Sequence, residues 1–285
     1  MLAPNVSRDE GDHMADTVLY EVSDGLATIT LNRPEARNAL NVDTKAALRD
    51  ALRTAGADSA VRAVLLTANG QAFCVGQDLK EHIALLEEAG GAAGAPAARR
   101  GGAMSTVREH YNPIVTAIAT MPKPVVAGVN GIAAGAGAGF AFACDYRVVA
   151  DTAAFTTSFV GVGLSADSGT SWTLPRLIGR SRAADLLLFP RTISAQEAHE
   201  LGIANRVVPA GELAAEAASV ARRLAEGPTV AYAAVKASMA YGEGHSLVDT
   251  LAKEDELQTA AGASEDHRIA VDAFLKKEKP RFLGR

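Results

Sequence analysis

Cysteine is nearly missing from this chain: its 285 residues include two, Cys74 and Cys144, far apart and outside any Cys-x-x-Cys. That excludes a disulfide framework and a zinc knuckle, and it fits a reduced, cytoplasmic setting. No uninterrupted apolar run reaches the ~18 residues a membrane-crossing helix needs, so no membrane association is expected. The first residues, MLAPNVSRDEGDHM, are polar and acidic without an apolar stretch, so they do not read as a signal peptide. We read 1–14 as a disordered extension. A clustered basic face is also lacking: the net charge is -5 and the Lys and Arg residues are scattered. Nucleic-acid binding is therefore disfavoured, since phosphate contacts need clustered cations. Any anionic ligand must be held locally, by a few Lys or Arg and by backbone N–H groups. G-x-S-x-G, H-E-x-x-H and G-K-[ST] do not occur, which removes serine-hydrolase, zincin and P-loop chemistry. Histidines 13, 82, 110, 199, 245 and 267 have no metal-ligand spacing. They read as surface or capping residues, and no metal is expected.

What is present is an alternation of strand and helix signals. VLYEVSDGLATITL (18–31) has two β-rich runs around Ser23-Asp24-Gly25, a hairpin signal. Asn41 is placed to cap a helix through about Gly56, with Ala47, Leu48, Ala51 and Leu52 on one face. AVLLT (63–67) reads as a buried strand, followed by a loop to Asp78 and a helix over about 79–88. Residues 89–103, AGGAAGAPAARRGGA, read as a mobile surface loop. Then come a helix (104–120), a strand (124–129), a glycine-rich turn, a helix and a strand (146–150), the pattern of an α/β unit with largely parallel strands. Ser194-Ala-Gln-Glu197 is a capping box. After the last extended run (203–208) only helical segments remain, at 211–226, 228–241, 246–261 and 264–277. This alanine-rich tail has no sheet of its own, so it either covers the α/β part or packs on a neighbouring subunit. The expected division is an extension (1–14), an α/β core (15–209) and a C-terminal helical region (210–285).

Chemistry has three candidate locations. QAFCVGQDLK (71–80) runs from a buried strand through a turn into a helix start, where unpaired N–H groups hold an oxyanion or phosphate; alone, it is equally an ordinary βα turn. NGIAAGAGAGFAFACD (130–145) has glycines that admit close backbone approach, but Phe140 breaks the G-x-G-x-x-G of a dinucleotide loop. GVGLSADSGTSWTLP (161–175) carries Asp167, which is either a helix N-cap or a general base or nucleophile. Asp145 and Asp151, at a helix end and a strand end, read as structural caps.

The order of several pieces resembles the crotonase (enoyl-CoA hydratase/isomerase) superfamily from about Val18 to the C-terminus. These pieces are LNRPEARNAL (31–40), AFCVGQDLK (72–80), KPVVAGVNGIAAGAGAG (123–139), CDYRVVAD (144–151), GLSADSGTSWTLPRLIG (163–179), ISAQEAHELGIANRVVP (193–209) and AVDAFLKKEKPRF (270–282). The resemblance implies a spiral of ββα units with a C-terminal helical trimerisation region, an acyl-CoA substrate, and a homo-oligomer, either a trimer or a dimer of trimers. Coenzyme A is then part of the substrate, and no separate cofactor is implied. It also implies an oxyanion hole from the backbone N–H groups of Gln77 and Ala136, the latter in place of the family's usual glycine. Arg37 and Lys80 match positions lining the CoA nucleotide region, and Ala72, Val75, Asp78, Leu79, Gly135 and Phe159 match further substrate contacts. The two glutamates that hydratases of the family use fall on Gly139 and Phe159. Simple hydration is therefore not expected, because neither residue can position or deprotonate water. The setting of Asp167 is similar to the isomerase branch, including the 1,2-epoxyphenylacetyl-CoA isomerases. On this likeness, Asp167 shuttles a proton to shift a double bond or ring epoxide. Asp167 as the nucleophile of an aryl-CoA dehalogenase, a hydratase-like crotonase, and a silent acyl-CoA-binding protein are the alternatives. The dehalogenase needs a ring clamped by aromatics, for which Phe159 and Trp172 are few.

Overall fold

The computed structural model describes residues 16–90 and 104–285. The extension at 1–14 and residues 91–103 of the Gly/Ala-rich loop lie outside the described residues.

β1 (Val18–Ser23) and β2 (Leu26–Leu31) form the expected antiparallel hairpin. Its turn residues, Asp24 and Gly25, both have positive φ (51° and 80°), which matches the twist of the flanking strands. α1 (Val42–Ala57) begins at Asn41, whose side chain accepts from Thr44 N at 3.0 Å. A cap of this kind is worth about 1 kcal/mol. The buried face of α1 is Thr44, Lys45, Leu48, Leu52 and Ala55, so the expected stripe holds at its leucines while Ala47 and Ala51 lie at its edge.

The chain then repeats one pattern. A strand is followed by a very short strand and a helix: β3 (Ala63–Ala68), β4 (Ala72–Cys74) and α2 (Leu79–Gly90). A helical connection ending in α3 (Asn112–Thr120) leads to β5 (Val125–Val129), β6 (Ile132–Ala134) and α4 (Ala136–Ala143). Next come β7 (Tyr146–Ala150), β8 (Ala154–Thr156), and the paired helices α5 (Thr170–Ile178) and α6 (Arg180–Leu188). β9 (Ile193–Ser194), α7 (Ala195–Glu200) and β10 (Arg206–Val208) close the core. The first strand of each pair joins a six-stranded sheet, β1-β2-β3-β5-β7-β10, parallel beyond the hairpin; the second joins a small sheet, β4-β6-β8-β9. This is the ββα spiral. Every residue of β5 is buried, as expected of a central parallel strand covered on both faces. α4, AGAGFAFA, is apolar all round and wholly buried. The strands of the small sheet span two or three residues each, too short to leave a periodic signal in the sequence.

The C-terminal helical region begins by covering the α/β part, one of the two placements expected of it. α8 (Leu213–Ala225) buries Leu213, Ala217, Ala221 and Ala225 against β3, β5 and β7, so it is a layer of the core. α9 (Thr229–Gly242) and α10 (Leu247–Gly262) pack on each other, and α10 has no buried residue. α9 reaches the core through Lys236, which donates to Ile118 O and to Asp145 Oδ2, each at 2.7 Å. α11 (Glu265–Lys276) ends the helical set, and the buried Asp266 carboxylate holds the tail through Leu283 N and Gly284 N. Among the described residues no helix is long and apolar enough to cross a membrane.

Candidate active site

The residues at the starts of α2 and α4, the loop after β8 and the turn before α5 surround a cavity of about 810 Å³. That size is within the range for small-molecule sites. The sequence-predicted residues Arg37, Val75, Gln77, Asp78, Leu79, Lys80, Gly135, Ala136, Phe159 and Asp167 all line it. Ala72 does not. It is buried in β4 beside Ile132, and its carbonyl is taken by Asn38 Nδ2 at 2.8 Å, so it supports the wall from behind.

Two backbone donors face the cavity for identifiable reasons. Leu40 uses its N–H on Gly76 O and its carbonyl on Asp78 N, so the N–H of the intervening Gln77 points the other way. Asp78 Oδ1 accepts from Lys80 N and Glu81 N, which satisfies the first turn of α2 and leaves Gln77 N without a partner among the described residues. Gly135, at φ 52° and ψ −120°, has a backbone that only glycine adopts without strain, and it starts α4 with the Ala136 N–H unpaired among the described residues. The two donors are close: a methyl built on Gly76 would lie 3.6 Å from Ala136 N. An oxygen placed between them would take two hydrogen bonds at the positive end of a helix.

Among the described residues three carboxylates line the cavity: Glu35, Asp78 and Asp167. Glu35 is exposed. Burial alone would raise Asp78, but its hydrogen bond and ion pair with Arg33 at 3.1 Å, together with the N–H groups of Glu81 and Lys80, hold it below the usual carboxylate range. It is structurally engaged. Asp167 is not the helix cap that its position allowed. α5 starts at Thr170 after Gly169, without a side-chain cap, and the Asp167 carboxylate accepts from Ser168 Oγ at 2.8 Å. Burial raises the Asp167 pKa above its ordinary value, against the lowering effect of the Ser168 hydrogen bond. Asp145 and Asp151, by contrast, do hold backbone, accepting from Val125 N and Ala210 N.

The turn carrying Asp167 rests directly on α4. Ser168 and Gly169 both have positive φ (51° and 69°), and a methyl on Gly139 would meet Ser168 Cβ and Ser168 O at 2.7 Å. The space for a side chain at 139 is filled by the turn. Phe159 is buried beside Gly135, 3.8 Å from where a Cβ on that glycine would sit.

Several residues are placed differently from expectation. Trp172 does not accompany Asp167; α5 turns it outward, where Arg176 stacks on it at 4.1 Å in a separate hollow beside α9. His82 is not a free surface residue: it lines the cavity, and its Nδ1 is buried without a partner among the described residues. Arg33 and Tyr111 also line the cavity. Asn38, fully buried at φ 55°, pins this side by accepting from Arg33 N and donating to Asn69 O and Ala72 O. These residues carry no sequence signal, because most of the groups they meet are distant in the chain.

The profile of the enoyl-CoA hydratase/isomerase family matches residues 21–285. The chain is 42% identical to a "Probable enoyl-CoA hydratase" of Rhodobacter capsulatus, over 94% of this chain and 98% of that one. It is 39% identical to the 1,2-epoxyphenylacetyl-CoA isomerase of Escherichia coli, over 95% and 100%. It is also similar to a crystal structure from Mycobacterium abscessus assigned as an enoyl-CoA hydratase/isomerase. There the TM-score is 0.88 and the identity 47%, covering 94% of this chain and 100% of the other.

Proposed function

The chain belongs to the enoyl-CoA hydratase/isomerase family, the crotonases, and from that premise we propose that it is an acyl-CoA isomerase with Asp167 as its acid–base group. The observation that carries the reading is the pairing of Asp167 with Gly139. A half-buried carboxylate with no capping duty faces the cavity, on a turn that fills the space a second acid at 139 would need. Phe159, the other position where hydratases of the family keep an acid, is an apolar wall.

In this reading the thioester oxygen sits between Gln77 N–H and Ala136 N–H. Asp167 takes a proton from C2 of a 3-enoyl chain, and the electrons move onto the thioester oxygen as a dienolate. The protonated Asp167 then returns the proton at C4, which leaves the 2-enoyl product and restores the carboxylate. One oxyanion donor is worth about 3 kcal/mol at this stage. The raised Asp167 pKa suits both steps, because a group that only abstracted would be slow to give the proton back. Arg37 and Lys80, on the cavity wall, supply positive charge for the CoA phosphates. Likeness to the 1,2-epoxyphenylacetyl-CoA isomerase adds a ring epoxide as a second substrate class for the same site. A trimer or a dimer of trimers belongs to the same proposal, supported by the apolar side chains that α10 and α11 leave exposed.

The test is to offer 3-enoyl-CoA and 2-enoyl-CoA in heavy water. We expect 3-enoyl-CoA to convert to the conjugated isomer and 2-enoyl-CoA to take up little or no water. Asp167→Asn should lower kcat at least ~10²-fold, the usual worth of a positioned acid–base group, with little change in CoA-ester affinity. Near-normal isomerisation by that variant would falsify the assignment, and hydration at dedicated-hydratase rates would overturn the reading of Gly139 and Phe159.

A further inference from the structure

The side chain of Gln77 is the meeting point of a buried polar cluster that the proposed reaction does not itself use. Its Oε1 accepts from Tyr111 Oη and, at 3.3 Å, from Lys45 Nζ. Both donors are almost sealed from solvent, at 2% and 1% exposure. Lys45 is neutralised by Glu81 at 3.3 Å, and the other oxygen of Glu81 accepts from Val42 N at the start of α1. The Lys45 ammonium also lies 5.9 Å from the centre of the Tyr111 ring, which packs on the Phe140 ring at 66°. A buried ammonium and phenol are costly to desolvate, and apolar residues of the same size would be cheaper if packing were the only need.

The backbone around Tyr111 is specialised too. The helix expected to run evenly over 104–120 contains a wide turn at Val107–Tyr111, in which Asn112 N reaches back to Val107 O. Pro113 explains it, since it has no N–H for the carbonyl four residues earlier and its ring would collide with that carbonyl in a regular α-helix. The extra residue in the turn rotates Tyr111 into the cavity wall.

We propose that Tyr111 and Lys45 are positioning residues that act through the Gln77 side chain to hold the Gln77 backbone N–H on the thioester oxygen. Gln77 lies in a loop between β4 and α2, and its backbone contacts to Leu40 run through its neighbours. Two donors on its side-chain oxygen anchor the residue from α1 and from the helix before α3. An oxyanion donor contributes in proportion to how well it is pre-aimed, and a displacement of about 1 Å near the reacting atoms costs on the order of 10²-fold in rate. The inference rests on the reading of Gln77 N–H and Ala136 N–H as the oxyanion hole.

The experiment uses the full chain with a chromophoric thioester, 4-dimethylaminocinnamoyl-CoA, whose absorption moves to the red when its carbonyl is polarised. Tyr111→Phe removes one hydroxyl, Gln77→Met removes the shared acceptor at similar size, and the double variant combines them. The wild-type protein should shift the bound chromophore. Each single variant should lose most of that shift, lower isomerisation kcat roughly tenfold or more, and leave KM within about twofold. The double variant should match Gln77→Met, because once the shared acceptor is gone the Tyr111 hydroxyl has nothing left to hold on residue 77. A full wild-type shift in Tyr111→Phe, or effects that multiply in the double variant, overturns the inference. If Tyr111→Phe does not fold, Gln77→Met tests the same link: loss of the shift supports the inference and a full shift overturns it. Absence of any shift in the wild-type protein removes the oxyanion-hole reading beneath it, so the two failures are distinct.

Discussion

Replacing Gly139 by alanine adds a single methyl group to a helix that favours alanine, and helix propensity alone would predict a stabilised protein. The structure predicts the reverse. The methyl would lie 2.7 Å from Ser168 Cβ and Ser168 O and 2.9 Å from Thr170 Oγ1. Ordinary contact begins near 3.4 Å, so the turn must retreat by about 0.7 Å, the difference between 3.4 and 2.7. Neither wall gives easily: α4 is buried along its whole length, and Ser168–Gly169 is a left-handed turn with Ser168 only 1% exposed. Overpacking of this kind costs about 1–3 kcal/mol. Asp167 is bonded to Ser168 and must move with it. A carboxylate displaced by most of an ångström from its reacting carbon should lose about 10–100-fold in kcat. CoA-ester affinity should hold within a few-fold, because Arg37 and Lys80 are on other segments. The assay is 3-enoyl to 2-enoyl isomerisation, followed by the absorbance of the conjugated thioester, alongside thermal unfolding. Unchanged kcat and Tm in Gly139→Ala would refute this reasoning, since no methyl can be accommodated there without moving the turn. Gly139→Glu should likewise fail to confer hydration.

Two further predictions concern Asp167 and assembly. Because burial raises the folded-state pKa of Asp167 above its unfolded value, the folded chain binds more protons in the window between the two, and stability falls as pH rises through it. Asp167→Asn should therefore raise Tm at neutral pH, with the gain vanishing below the ordinary carboxylate pKa of about 3.9; an equal Tm difference at both extremes would contradict this. For assembly, Leu247 and Val248 on α10 and Phe274 and Leu275 on α11 are 73–82% exposed, an apolar surface that water does not favour. Light scattering at micromolar concentration should give the mass of a trimer or a dimer of trimers, and a clean monomer mass would refute it.

Much of the architecture was legible in the sequence because it is locally encoded. The Asp24-Gly25 turn, the Asn41 cap and the apolar run of β5 each depend on residues within a few positions of one another, and each is where expected; of the Ser194 capping box the Ser194 cap on Glu197 N forms, while the Glu197 carboxylate pairs with Arg191 instead. The candidate site was legible as a set of segments, since a turn and a helix start mark where backbone donors can lie, while the assignment to Gln77 and Ala136 came from the resemblance to the crotonase family. Tertiary structure decided everything that depends on what those segments meet. Local spacing allowed Asp167 to be a cap, and only the folded turn at 167–169, resting on α4, shows its carboxylate in the cavity and bonded to Ser168 Oγ instead of to helix N–H groups. Trp172 follows Asp167 closely in the chain, yet the direction α5 takes turns it away from the cavity and toward Arg176. Lys45 and Tyr111 carried no signal in the sequence, because their partner Gln77 is 32 and 34 residues away. The sequence left open whether the C-terminal helices cover the α/β part or pack on a neighbouring subunit, and only the fit of the α8 alanine face to the main sheet decides it for that helix. Periodicity and capping act over a turn of helix or a strand pair, whereas burial, steric exclusion and shared hydrogen-bond acceptors exist only once distant segments are packed together.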